Sequence, residues 1–148
     1  MDVNKIPTPN NLWSMLTMKC PRCRRGKMFS NENGYVKLSL KNILAMPEKC
    51  PECNQEFDME PGFWFGTSYV SYALTVALSV SSFVAWAVLV GVSIDEKKVH
   101  LIFWWLCLNA LMLVVLQPWI MRISRVLYIR FFVSYDKEYK HTSPKEFD

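Results

Sequence analysis

The sequence predicts a membrane α-helical hairpin, made of two transmembrane helices, with a small N-terminal zinc-ribbon or knuckle head. Two long stretches, 61–94 and 101–121, contain no Asp, Glu, Lys or Arg. Each is long enough to cross a bilayer core of about 30 Å, which requires about 20 helical residues. Hydrophobic residues make up 51% of the chain. Four cysteines stand in two Cys-Pro-x-Cys pairs ahead of both stretches.

The predicted head comprises residues 1–60 and contains both cysteine pairs. Each pair is expected to form a tight turn that directs two sulfur atoms at one ion, and two such turns complete a tetrahedral sulfur site. A head of this size cannot build a large hydrophobic core, so a bound metal is expected to replace that core. The predicted metal ligands are Cys20, Cys23, Cys50 and Cys53.

Zinc is the favoured ion at this site, and iron is the alternative because paired Cys-Pro-x-Cys turns also build rubredoxin-type iron sites. Two structural disulfides are the competing interpretation, but a reducing cytoplasm argues against them. Asn54 suits the left-handed conformation expected after the second turn. After the first turn, Arg24 and Arg25 precede Gly26, so a wider turn is expected there. Cys107 is interpreted as a small hydrophobic residue outside the site.

The membrane segments and their orientation follow from the placement of charge. We predict an interfacial segment and the first transmembrane helix within 61–94, a periplasmic turn at 95–100 and the second transmembrane helix at 101–121. Residues 122–148 are predicted to form a basic and aromatic interfacial helix followed by a cytoplasmic tail. Lys and Arg number nine in residues 1–60, six in 122–148 and two in the connecting turn. This bias predicts that both termini are cytoplasmic.

The segment after the second helix carries three arginines that are expected to lie near lipid phosphates, with a groove for a partner helix as the alternative. They are Arg122, Arg125 and Arg130. From Asp136 onward the chain is expected to be a solvated tail.

Polar residues within the spans are few, and none of them ionises. A stripe of small and hydroxylic residues follows one face of the first helix. It predicts packing against the second helix, with docking onto a larger membrane partner as the alternative. Asn109 and Gln117 are expected to form interhelical hydrogen bonds, and His100 is expected at the interface. Proton relay and ion transport have no ionisable group to use. The stripe consists of Ser68, Ser71, Thr75, Ser79, Ser82 and Ala85.

Several stretches of the chain resemble a bacterial family catalogued as domain of unknown function 983, in the form typical of Bacteroidetes. They are CPRCRRGKMF, MPEKCPECNQEF, EPGFWFGTSYVSYAL and the arginine-rich end at FVSYD. Many members have glycine where this chain has Asn54. The resemblance implies a zinc-ribbon protein of the bacterial inner membrane without an assigned reaction. Some proteobacterial members are encoded beside cytochrome c oxidase genes, which implies a respiratory connection.

The functional prediction is a non-enzymatic accessory or assembly subunit of an inner-membrane complex, with a respiratory oxidase as the first candidate. Four protein ligands close a zinc site, so neither catalysis by the metal nor a small-molecule substrate is expected. One alternative is an electron-transfer protein with rubredoxin-like iron. The other is a membrane-anchored binding module whose basic groups contact anionic partners. Of these partners, lipid is preferred to nucleic acid because the head has a net charge of only +2. The basic groups are Arg22, Arg24, Arg25 and Lys27.

Overall fold

Five helical segments form the regular structure of this computed structural model, which describes residues 9–31, 33, 35, 40–57, 62–91 and 99–145. The periplasmic turn predicted at 95–100 falls largely outside these residues. The segments are α1 (Asn11–Leu16), α2 (Leu40–Ile43), a 3₁₀ helix (Phe63–Gly66), α3 (Thr67–Val90) and α4 (Val99–Phe132).

Two helical stretches, Phe63–Val90 and Val99–Phe132, are long and apolar enough to cross a membrane. The most apolar part of each is not covered by the rest of the protein. Leu89 and Val114, for example, are 84% and 72% exposed. The core helix of a soluble protein buries such side chains, because exposed apolar area costs about 25 cal/mol per Å² in water. Their exposure therefore indicates membrane association.

The two long helices contact each other through the hydroxyl stripe. Ser71 donates a hydrogen bond to Ser124 at 2.8 Å. Asn109 donates to Ser79 at 3.3 Å and accepts from Ser82 at 3.1 Å. Residues later in α3 contact residues earlier in α4, so the two helices are antiparallel. The interhelical hydrogen bonding predicted for Asn109 is confirmed.

Gln117 does not share this contact. It is exposed, and its amide forms no hydrogen bond with any other residue that the structure describes. Gln117 follows Asn109 by eight positions, which places it about 80° further round the helix. The interhelical bond predicted for Gln117 is therefore wrong within the described residues. Two members of the predicted stripe, Ser68 and Ala85, are likewise exposed.

Helix α4 is longer than one bilayer crossing. Its 34 residues correspond to a length of about 51 Å, and they include Pro118. The helix does not end at Met121, where the sequence analysis separates the second span from an interfacial helix. Its last turns enter the head instead. Val126 and Ile129 are 1% and 0% exposed.

The core of the head is built jointly by the cysteine pairs and by the end of α4. Met28, Phe29 and Phe57 pack around the four clustered cysteines from the head side. Val126 and Ile129 contribute from α4, together with the following Val133. The expectation that a metal alone replaces the core is thus incomplete, because a helix from outside the head also supplies apolar area.

Candidate metal centre

Both cysteine pairs fold into the same turn. The carbonyl of Cys20 accepts from the backbone N–H of Arg24 at 2.9 Å, and that of Cys50 accepts from Asn54 at 3.0 Å. Arg24 and Asn54 have φ values of 56° and 54°. The left-handed conformation predicted for Asn54 is confirmed. The prediction of a wider first turn is wrong, because Arg24 adopts the same left-handed conformation as Asn54 in spite of its large side chain.

Each turn is closed by one antiparallel bridge, Lys19 to Lys27 in the first knuckle and Lys49 to Glu56 in the second. We call the segments 19–27 and 49–56 the first and second knuckle. Neither bridge extends into a strand in the described residues. The cysteine knuckles are present, but this pairing alone does not make a zinc ribbon.

The four predicted ligands meet at one point. Their Sγ atoms all lie within 4.8 Å of one another. The Sγ atoms of Cys20 and Cys53 are 3.7 Å apart, and those of Cys23 and Cys50 are 3.8 Å apart. A tetrahedral zinc site with zinc–sulfur distances of about 2.3 Å places its sulfur atoms about 3.8 Å apart, whereas a disulfide requires about 2.05 Å. The four cysteines are free, and their spacing fits a shared metal ion.

Burial and crowding of the thiols favour a cation at this point. Cys20, Cys23 and Cys50 are 0%, 1% and 0% exposed. Hydrogen bonds with Cys23 and the other two thiols, together with burial, raise the pKa of Cys20 far above its ordinary value. Hydrogen bonding with Cys20 lowers the pKa of Cys50 to about 7. Four thiolates this close repel one another, and a divalent ion that displaces the remaining protons removes that repulsion.

Gly26 provides the space for the opposite cysteine. A Cβ atom built at Gly26 would clash with the Sγ atom of Cys50. The Gly26 N–H also donates to Cys23 Sγ at 3.4 Å, and hydrogen bonding with Cys20 and, more weakly, with this N–H lowers the pKa of the Cys23 thiol. The glycine is thus required by close approach across the site rather than by a left-handed turn.

We expect Gly26→Ala to weaken metal binding at least about tenfold, because the new methyl group displaces one of the four sulfur atoms. Competition with a chromophoric chelator measures the affinity. Asn54→Gly serves as the control, since glycine accepts the left-handed conformation at that exposed position without strain. Equal affinities for the two variants would contradict the role assigned to Gly26.

Arg22, the variable residue of the first Cys-Pro-x-Cys pair, holds the C-terminal segment against the knuckles. Its guanidinium is 4% exposed and lies 3.4 Å from the Asp136 carboxylate. It also donates to the carbonyls of Thr142 and Ser143, both at 2.7 Å, and to that of Cys53 at 3.3 Å. The Thr142 hydroxyl and, more weakly, Arg22 lower the pKa of Asp136.

The second knuckle holds the same segment through Gln55. The side-chain amide of Gln55, which is fully buried, donates to the Lys145 carbonyl at 2.8 Å and accepts from the Lys145 N–H at 3.0 Å. Residues 136–145 therefore lie across both knuckles, and we call them the C-terminal strap. Most residues of the strap are exposed, as the prediction of a solvated tail implies, but its backbone is bound to the head because buried Arg22 and Gln55 need polar partners.

The three arginines at the end of α4 bind the head. Arg122 is 2% exposed and donates to the carbonyls of Ile43 and Asn31 at 2.8 and 2.9 Å. Arg125 donates to the Leu44 carbonyl at 3.2 Å. These hydrogen bonds go to protein carbonyls, and the predicted contact of the arginines with lipid phosphates stays a prediction. The carbonyls come from short helices and loops that leave them without partners inside secondary structure.

Arg130 and Arg24 also bind groups within the protein. Arg130 donates to the side chains of Asn11 and Ser14 at 2.6 and 3.0 Å. Arg24 lies 4.1 Å from the ring centre of Tyr135 and donates to the Pro9 carbonyl at 3.1 Å. The first-knuckle arginines proposed for an anionic partner are thus largely engaged within the protein. Sequence reasoning missed these roles because each joins residues more than 100 positions apart or meets a backbone atom.

Comparison with known proteins gives one family. The model of a family described as "Protein of unknown function (DUF983)" matches residues 40–120. The matched region contains the second knuckle and α3 with most of α4. No curated protein and no solved structure matches the chain.

Proposed function

The chain belongs to the family described as Protein of unknown function (DUF983), and because that family brings no reaction with it, we propose a function from the site alone. The proposed protein is a non-enzymatic accessory or assembly subunit of a bacterial inner-membrane complex. Its two long helices are inserted in the bilayer, both termini are cytoplasmic, and the four cysteines hold a structural zinc ion.

The enclosure of the four thiols carries this proposal. Even the most exposed of them, Cys53, is only 6% accessible. The surrounding residues are apolar or belong to the knuckle backbone, and α4 closes the far side. A metal with four protein ligands in this setting has no open position for water or substrate. The ion would supply folding free energy and rigidity rather than a reaction.

The connection between head and membrane supports a role in an assembly. Arg122 and Arg125 fix the segment between the two knuckles to α4 through buried or half-buried hydrogen bonds. A surface presented by the head would thus keep a constant orientation to the bilayer. Gln117 offers an exposed amide on the outer side of α4, where a partner helix could accept or donate a hydrogen bond in place of lipid.

The proposal is tested by purifying the full chain from native membranes in a mild detergent. We expect larger membrane subunits in fixed stoichiometry, one zinc per chain and no visible absorption. Gln117→Leu should lower the yield of those subunits, while Cys107→Ala, an exposed position on the same helix, should not. A chain that purifies alone at every detergent strength contradicts the accessory role.

Electron transfer through iron remains the alternative at the same site, because the backbone N–H of Gly26 directed at Cys23 Sγ also suits an iron–sulfur centre. The same preparation separates the two. A coloured protein with one iron per chain would support electron transfer and contradict the structural-zinc proposal. A colourless protein with one zinc per chain excludes it.

A further inference from the structure

Helix α1 turns its apolar side outward and its polar side toward the protein. Leu12, Trp13 and Leu16 are 69%, 67% and 55% exposed, whereas Ser14 is 1% exposed. A helix on the surface of a water-soluble domain has the opposite arrangement, because burial of its apolar side is favourable. We propose that the apolar face of α1, formed by Leu12, Trp13 and Leu16, lies in the lipid headgroup layer on the cytoplasmic side of the membrane. The inference rests on the membrane insertion and orientation proposed above.

Hydrogen bonds on the polar side of α1 hold the helix in this orientation. Arg130 of α4 donates to Asn11 Oδ1 at 2.6 Å and to Ser14 Oγ at 3.0 Å. The backbone N–H of Lys19 donates to the Ser14 carbonyl at 2.9 Å. The helix cannot turn Leu12 and Trp13 inward without breaking bonds to a buried serine, which is costly when the groups are left without partners. The outward apolar face is therefore a fixed feature of the fold.

The C-terminal end of α1 lies at the boundary of the apolar part of α4. Leu16 lines the same cleft as Trp119 and Tyr35. Trp119 lies near the end of the charge-free run 101–121, and Tyr35 donates to the Val115 carbonyl of α4 at 3.0 Å. Trp and Tyr at the end of a span are typical of headgroup depth. The exposed face of α1 thus adjoins the exposed apolar surface of α4 at that depth.

Two further segments expose large apolar side chains where α4 binds α1. The ring centre of Phe63 in the 3₁₀ helix lies 5.0 Å from that of Tyr128, which precedes Arg130 by two residues. Phe65 of the same 3₁₀ helix and Phe131 of α4 are 80% and 79% exposed. Apolar side chains are thus exposed on three separate segments along the same part of α4. Such a concentration of exposed apolar groups marks a membrane or protein contact rather than a surface in water.

Lipid is the occupant that these observations favour for the face of α1. The face adjoins the apolar surface of α4 at the end of the charge-free run, so the layer that covers that surface also reaches α1. Residues 6–18 contain no Asp, Glu, Lys or Arg, so immersion of α1 brings no charge into the layer. A helix with one apolar face that includes Trp and Leu lies in the plane of the bilayer interface in other membrane-bound proteins.

The test is fluorescence quenching of the full chain reconstituted into phosphatidylcholine vesicles. The difference in emission between the wild type and Trp13→Phe isolates Trp13 among the six tryptophans. Because Trp13 is exposed, its replacement leaves the core intact. We expect phosphatidylcholine brominated in the upper part of its acyl chains to remove at least about half of the Trp13 emission, and aqueous iodide to remove little of it. Trp119→Phe gives the same measurement for a residue of α4.

Trp13 emission that iodide quenches and brominated lipid does not quench overturns the proposal, because the face of α1 then lies in water. Protection of Trp13 from both quenchers overturns it as well, since a protein surface then covers the face. Trp119 separates this inference from the proposed function. If brominated lipid quenches Trp119 but not Trp13, only the placement of α1 is lost, whereas a chain in which it quenches neither residue loses the proposed membrane insertion too.

Discussion

Replacing Cys50 by Ser is expected to abolish stoichiometric metal binding and to unfold the head. The Sγ atom of Cys50 lies 3.8 Å from that of Cys23 in the centre of the cluster, and a serine hydroxyl remains protonated near neutral pH and is a poor ligand in its place. A structural zinc site contributes about 10–16 kcal/mol of binding free energy, which is also folding free energy. A whole domain is stable by only about 5–15 kcal/mol.

Metal content per chain and limited proteolysis of the head measure this effect, and Cys107→Ser is the matched control. Cys107 is exposed and lies outside the cluster, so its replacement should leave both readouts unchanged. Treating the wild type with a strong chelator should reproduce the protease sensitivity of Cys50→Ser. One equivalent of metal retained by Cys50→Ser, with a protected head, would show that the four thiols do not form a closed metal site.

The second large effect is expected for Arg22→Met, which should release the C-terminal strap. The substitution keeps an apolar stem but removes the donors to Thr142 and Ser143 and the partner of Asp136. Arg22 is buried but the Asp136 side chain is 30% exposed, so the loss comes mainly from the charge-assisted hydrogen bonds to the strap and should be about 1.5–3 kcal/mol. The strap keeps its bonds to Gln55, the packing of Tyr139, the Asp136 N–H bond to the Arg22 carbonyl and the Lys145 ammonium bond to the Phe132 carbonyl, so its release is expected to be local rather than complete.

Hydrogen exchange of residues 136–145 detects the release as faster exchange, and the metal content should stay at one equivalent because Arg22 supplies no ligand. Lys19→Met, a half-buried cation on the same knuckle, is the comparison and should leave exchange in the strap unchanged. If the strap of Arg22→Met remains as protected as that of the wild type, the guanidinium is not what secures it.

Local patterns in the sequence predicted the ligand set and the long helices. The Cys-Pro-x-Cys spacing by itself determines that two thiols lie close together, and Asn54 signals its own left-handed turn. The charge-free runs of α3 and α4 are likewise readable from consecutive residues. These features depend on neighbours along the chain, so a single sequence contains most of the information about them.

The contacts of the basic residues could not be predicted from neighbouring residues in the sequence. Arg22, Arg122 and Arg130 look alike in the sequence, as solvated or lipid-facing charges. Their actual partners are backbone carbonyls and side-chain oxygens 31 to 121 positions away. A carbonyl has no sequence signature, so its need for a donor becomes visible only when the short helices and knuckles are assembled around α4. The strap was missed for the same reason.

Helix α4 joins the exposed apolar part of the molecule to the thiol cluster without a break. Its last 11 residues, from Arg122 to Phe132, reach about 16 Å beyond the charge-free run. A change of about 10° in the tilt of the span would therefore displace the C-terminal end of α4 by about 3 Å. Pro118 lacks a backbone N–H donor, so α4 bends most easily at this position. Under the membrane insertion proposed above, bilayer thickness would thus be coupled mechanically to the position of the sulfur cluster through this continuous helix.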